Sequence, residues 1–167
     1  MAPRTLILYK NQIAQKINRL AYQVYEDNSE ETEIIIAGVL KSGYIVAEKI
    51  AKVLKEISPL KVKLIELPIN KHTLADEEVK TSLSKAQLQG KTVIVVDDVL
   101  NSGKTLMHAL NPFLKADVKK IRTVVLVDRN HKQYPLAADF VGFPLATTMQ
   151  EHVSVVLEKN EEAVYLS

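Results

Sequence analysis

Two adjacent aspartates stand at the end of a short β-branched run and are followed at once by a small polar loop: VIVVDDVLNSGKTL, Val93 to Leu106. Thr92 to Val96 is long enough for a buried strand and too short for a helix. Asp97 and Asp98 are expected where that strand ends. Asn101, Ser102, Gly103, Lys104 and Thr105 then offer backbone N–H groups, two hydroxyls and the positive end of a helix starting near Lys104. Such a turn holds a phosphate through its free amides and the helix dipole. Two carboxylates beside it repel a bare phosphate, so the ligand should join its phosphate to hydroxyls or a metal. A sugar phosphate meets both demands.

Two other readings compete. A P-loop requires a glycine five residues before the Gly of GK[ST], and that position is Asp98. The plain alternative is a strand-to-helix turn with capping residues and no ligand, since Asn and Ser are common N-caps. Against it stands the cost of leaving two carboxylates without partners at the end of a buried strand.

Strand-like and helix-like segments alternate along the chain. Residues 10–27 place Ile13, Ile17, Leu20, Ala21 and Val24 at helical spacing. Glu33 to Val39 reads as a strand and Tyr44 to Ile57 as a helix with Ile45, Val46, Ile50, Val53 and Leu54 inward. Leu60 to Leu67 is a strand, and the polar stretch 68–90 is the candidate mobile segment. A helix over 104–115 follows, then a strand at Ile121 to Val127, with later strands at Phe140-Val141 and Val153 to Leu157. This alternation argues for βαβ units around a parallel sheet. The 167 residues suffice for one domain, 1–167, with a full core. A net charge of +2 makes no demand for nucleic acid. The absence of cysteine excludes disulfides and thiolate metal sites and is compatible with the cytoplasm. No apolar run reaches membrane-spanning length, and the apolar core of the first sixteen residues is too short for a signal peptide.

Ligands of such sheets bind beyond the carboxyl ends of the strands. The loops at 38–43, 68–90, 97–105 and 128–134 all follow strands and should meet at that end. In Gly38-Val39-Leu40-Lys41-Ser42-Gly43, two glycines let backbone approach an anion and Lys41 adds a point charge. Alone this is as compatible with an ordinary glycine-bracketed turn. Beside the 97–105 loop it reads as a second anion site. A ligand with phosphate groups on opposite sides of a ribose, phosphoribosyl pyrophosphate, would use both.

The strand, paired acids and GKT loop resemble the phosphoribosyl pyrophosphate loop of the type I phosphoribosyltransferases. Val127 to Gly142, VDRNHKQYPLAADFVG, further resembles the bifunctional pyrimidine operon attenuator and uracil phosphoribosyltransferase proteins. The resemblance implies an α/β fold, a parallel sheet flanked by helices with a small C-terminal hood. It implies that Leu40, Lys41, Ser42 and Gly43 bind pyrophosphate, with a cis peptide between Leu40 and Lys41. Asn101 to Thr105 would hold the 5-phosphate and Asp97 and Asp98 the ribose hydroxyls, so that Asp97, Asp98 and Lys41 carry the transfer. Mg2+ would bridge ligand oxygens with no direct protein ligand. Phe140, Val141, Asp128 and Arg129 would border the nucleobase, Phe140 by stacking, although an isolated Phe is more often simply core. A homodimer or higher homo-oligomer is implied, and no membrane.

RNA contact is implied at Arg19, His131 and Lys132. Tyr22, where the family has His, and Ala137 and Phe143, where it is usually basic, depart from that pattern. Asn70, Lys71, His72 and Thr73 replace the family's Thr-x-Tyr-Arg. Purine phosphoribosyltransferases usually have Asp at the position of Asn101 and Lys at the position of Asp128. An amide is no general base and a carboxylate repels a carbonyl, so uracil is favoured over a 6-oxopurine.

Overall fold

The strand expected to end at Val96 runs on to Leu100, because its two neighbours leave it at different points. This strand is β4 (Thr92–Leu100). On one side β2 (Glu33–Val39) pairs with it only as far as Gly38 opposite Val96. On the other side β5 (Lys120–Asp128) continues, with Val127 opposite Val99 and Asp128 opposite Leu100. Asp97 and Asp98 therefore lie within a strand whose flank toward β2 has come free.

A computed structural model describes residues 3–167. Met1 and Ala2, which open the segment read as too short for a signal peptide, lie outside the described residues. The remaining elements are β1 (Thr5–Leu8), α1 (Lys10–Asp27), α2 (Ser42–Ile57), β3 (Lys61–Leu67), α3 (Lys85–Leu88), α4 (Lys104–Leu114), β6 (Phe140–Pro144), β7 (Val153–Glu158) and β8 (Glu161–Leu166). Five parallel strands form one sheet in the order β3-β2-β4-β5-β6. Alternation along each strand fills both faces. Ile34, Ile36 and Ile94 join α1 and α2 in one cluster, while Ile35, Ala37 and Val95 join α4 in the other.

The chain leaves β2 for α2 on one face and leaves β4 for α4 on the other. The connections diverge, so a crevice opens between these adjacent strands at their carboxyl ends, where ligands of such sheets sit. Gly38 lets α2 approach: a Cβ there would stand 2.4 Å from the Tyr44 Cα.

The hood is a second, antiparallel sheet in the order β1-β8-β7. It takes a strand from each end of the chain, and the N-terminal one, four residues long, gave no periodic signal of its own. Leu8, Val153, Leu157 and Val164 seat it on the cluster of α1 and α2, and Lys49 of α2 bonds Glu162 at 2.8 Å. The segment read as polar and mobile is anchored by Ile69, Leu74, Val79 and Leu88, all buried on the α4 side. Four apolar side chains spread over twenty residues carry no period, which hid their role.

Candidate active site

Asp97 is 2% exposed and Asp98 half-buried. Each carboxylate turns one oxygen to local backbone: Asp97 Oδ1 accepts from the Asp98 N–H at 2.9 Å, and Asp98 Oδ1 from the Val99 N–H at 2.8 Å. Burial, and next the charge of Asp98, push the Asp97 carboxyl well above its usual range; Lys71, across the cavity, pulls the other way. A raised carboxyl pKa stabilises the fold below the unfolded value of 3.8, and that contribution is lost as pH rises through the folded value. Asp97→Asn keeps the acceptor for the Asp98 N–H and removes the buried charge. Its melting temperature should exceed wild type at neutral pH, with the gap closing toward pH 3.8. Equal melting curves from pH 3 to 9 would contradict this reading.

The loop after β4 leads into an α4 of 11 residues, whose N-cap is Gly103 at φ +89°. That left-handed conformation favours glycine, and Lys104 and Thr105 at the start of α4 line the same cavity as Asp97. Ser102 Oγ accepts from the Lys104 N–H at 3.2 Å. Asp97, residues 99–106, Lys71 and Leu74 line a cavity of about 220 Å3. All five residues expected to hold a 5-phosphate, Asn101, Ser102, Gly103, Lys104 and Thr105, are in its wall. Two wider clefts of about 570 Å3, one between α2, β3 and the β7–β8 hairpin and one along β3, contain no residue of either anion loop.

The second loop lies against the first. The Leu40–Lys41 peptide is cis, and the Leu40 N–H donates to the Leu67 carbonyl at 3.0 Å. A Cβ on Gly43 would stand 2.9 Å from both the Asp97 Cα and the Val96 carbonyl oxygen. Only a residue without one lets the start of α2 touch β4 there. Leu40 and Ser42 are half-buried and Lys41 is exposed.

The 128–141 residues divide. Phe140 opens β6 level with Val124, and Val141 stands level with Val125 and, one strand further, Asp97. Phe140 packs against the cluster that contains Val99, and Val141 against the opposite one. Asp128 Oδ1 accepts from the Asn130 N–H at 2.8 Å, closing the turn after β5. Arg129, expected at the base, spends its guanidinium elsewhere: Nη1 donates to Asn101 Oδ1 at 3.0 Å and Nε to Thr147 Oγ1 at 3.2 Å. Its Nη2 reaches the carbonyls of Thr148 and Glu151. Of the residues expected to meet RNA, Arg19 donates to the Gly142 carbonyl at 2.6 Å and His131 contacts the Thr147 carbonyl, while Lys132 is exposed. Val99, Leu74 and Thr147 went unremarked in the sequence, because each reaches the site only through packing.

Among the described residues no three His, Asp or Glu side chains gather as a metal cage. Asp97 lines the cavity with the hydroxyl-bearing 101–105 loop, and Asp98 follows it in the chain without entering that wall; such a sparse carboxylate set instead fits a hard cation that keeps water and ligand oxygens around it. No helix among the described residues is long and apolar enough to cross a membrane.

Comparison with known proteins agrees with this geometry. Residues 5–158 match the phosphoribosyl transferase domain. The chain is 32% identical to a bifunctional protein PyrR of Fusobacterium nucleatum, over 96% of this chain and 97% of that protein. It is 33% identical to the same-named protein of Haemophilus influenzae, over 93% of each. Among solved structures it is similar to a hypoxanthine-guanine phosphoribosyltransferase of Bacillus anthracis, with a TM-score of 0.70 and 25% identity over 87% of this chain and 85% of that one. A hypoxanthine phosphoribosyltransferase of Trypanosoma cruzi shares the fold, with a TM-score of 0.73 at 16% identity over 97% and 95% of the two chains. This chain, with its paired aspartates in the middle strand of a five-stranded parallel sheet, belongs to the phosphoribosyl transferase domain family, the type I phosphoribosyltransferases, and within it is similar over nearly its whole length to the bifunctional PyrR proteins.

Proposed function

We propose that this phosphoribosyltransferase moves the ribose 5-phosphate of phosphoribosyl pyrophosphate onto uracil, releasing pyrophosphate. The observation that carries the reading is the close approach of Gly43 to Asp97, which brings the Leu40 to Gly43 turn beside the strand that leads into the 101–105 loop. The α4 amides and the hydroxyls of Ser102 and Thr105 take the 5-phosphate. Residues Leu40 to Gly43 take the pyrophosphate. Asp97 and Asp98 accept from the ribose hydroxyls. Mg2+, when bound, would supply positive charge that offsets the pyrophosphate, and Asp97 and Asp98 are the carboxylates that would help to hold it.

The base nitrogen forms a bond to the anomeric carbon as the bond from that carbon to the pyrophosphate oxygen breaks; the oxygen keeps the electron pair, and the proton of that base nitrogen passes to the departing pyrophosphate or to water. Positive charge grows on the ribose ring between these events. Two carboxylates fixed beside the ring stabilise that charge without reorganising, and the two loops hold the reacting ends in line. Neither aspartate needs to move a proton. Phe140 and the Val141 backbone border the base, and Asp128, one oxygen of which accepts from the Asn130 N–H, stands where purine enzymes usually carry the Lys that reads the 6-oxo group. Asn101 lacks the basicity of the Asp that purine enzymes carry there.

The test is magnesium-dependent pyrophosphate release against uracil, hypoxanthine, guanine, xanthine, adenine and orotate. Turnover with uracil alone is expected. Turnover with a 6-oxopurine instead would overturn the weight placed on Asn101 and Asp128 while keeping the loops. A second reading, a nucleotide-sensing RNA-binding regulator, draws support from the near full-length similarity to bifunctional PyrR proteins. It predicts RNA affinity that shifts with uridine monophosphate, and absence of RNA binding at low salt would dismiss it.

A further inference from the structure

Arg129 is the side chain that joins the phosphate cavity to the segment leading into the hood. Three stretches of chain meet around it. The Arg129 N–H donates to the Leu100 carbonyl at 3.1 Å, and the Gln133 and Tyr134 N–H groups donate to the Ser102 carbonyl at 2.9 and 3.1 Å. The 128–134 loop is thereby laced to the phosphate loop. On its other side, the Leu145 N–H donates to the Asp128 carbonyl at 2.8 Å, and Glu151 accepts from the Thr148 N–H at 2.6 Å. Thr147, Thr148 and Glu151 provide three acceptors that grip the guanidinium from behind. Its forward nitrogen, Nη1, goes to Asn101.

The chemistry of that forward contact settles which way the Asn101 amide faces. A guanidinium donates and never accepts, so Asn101 must show it the carbonyl oxygen. The amide NH2 is then left for the cavity that Asn101 lines, and it has no protein acceptor among the described residues. A donor is what a phosphate oxygen requires. A free amide would rotate and present its oxygen to the anion part of the time.

We propose that Arg129 is a positioning residue for the phosphoribosyl ligand: held by the 147–151 segment, it locks Asn101 with its NH2 turned to the phosphate. The role rests on the reading of this cavity as a phosphoribosyl site. It moves Arg129 from the base, where the sequence placed it, to the far side of the 5-phosphate. The Arg129 charge itself adds a long-range attraction for the anion, and the experiment must separate that from the locking.

The measurement is calorimetric affinity for ribose 5-phosphate in wild type, Arg129→Met, Arg129→Lys, Asn101→Ala and the double variant Arg129→Lys with Asn101→Ala. Loss of one oriented donor to a charged oxygen corresponds to about tenfold or more in affinity. Arg129→Lys keeps the charge and loses the forked grip, so it should weaken binding about as much as Asn101→Ala. In the double variant the two losses should not multiply, because both remove the same donor. The KM for phosphoribosyl pyrophosphate should rise in all three single variants by more than kcat falls. Multiplying losses, or wild-type affinity in Arg129→Lys, would overturn the positioning role. Should the Arg129 variants fail to fold, Thr147→Val removes one acceptor behind the guanidinium. It should weaken binding in the wild-type background and leave it unchanged in Asn101→Ala, and independent effects would again overturn the role. Wild type that binds no ribose 5-phosphate would instead remove the phosphoribosyl reading beneath it.

Discussion

Asp98→Asn should lose turnover by about 10²- to 10³-fold, the scale seen when one preorganised electrostatic contact to a developing charge is removed. The substitution is nearly isosteric. An Asn oxygen can still accept from the Val99 N–H, which Asp98 Oδ1 now does at 2.8 Å. The variant also removes the charge that, after burial itself, raises the pKa of its neighbour Asp97. Melting temperature should therefore hold or rise while kcat collapses. Loss of activity with intact folding separates a ribose contact from a structural role. Normal turnover in this variant would refute the assignment of Asp98 to the ribose, and with it the electrostatic account of the transfer.

Gly38→Ala should produce the largest loss of stability among single-methyl additions in the parallel sheet. The new Cβ would stand 2.4 Å from the Tyr44 Cα and 3.0 Å from both the Tyr44 nitrogen and the Ala47 Cβ. Two of these atoms are backbone, so α2 as a body must back away from β2. Overpacking of this kind costs about 1–3 kcal/mol, and for a domain of this size each kcal/mol lowers the melting temperature by roughly 2–4 °C. The same displacement moves Gly43 off Asp97 and opens the pyrophosphate loop, so affinity for phosphoribosyl pyrophosphate should fall together with stability. Gly90→Ala is the comparison: φ there is +71°, nothing lies within 4 Å, and only local backbone strain applies. That variant should lose some stability and no ligand affinity. An unchanged melting curve for Gly38→Ala would mean that α2 is not held against β2 at this point.

These two residues differ in how plainly the sequence marked them. Asp98 lies between an apolar strand and a helix start, and all three features fall within fourteen consecutive residues. Local chemistry suffices to find it. Gly38 was marked only as one of two glycines in a turn. Its contact with Tyr44 depends on how closely a helix lies on a strand, which no pattern of hydrophobicity states.

The alternation of strands and helices, the parallel sheet and the polar turn that opens α4 were determined by the sequence itself. Parallel strands buried on both faces must be continuously apolar, as in Ile34 to Val39 and Val93 to Val96, and amphipathic helices must carry a 3.6-residue period, as in residues 10–27. Both signals are short-range and survive in one dimension. Only the tertiary structure decided that β4 continues through both aspartates, since that follows from β5 outlasting β2 beside it. It alone decided that Thr5–Leu8 pairs with the other end of the chain, that Ile69 and Leu74 anchor a polar stretch, and that the Arg129 guanidinium donates to Asn101. Each of these is a contact between residues that are apart in sequence or carry no period. Its energy belongs to the pair, and neither member announces it alone.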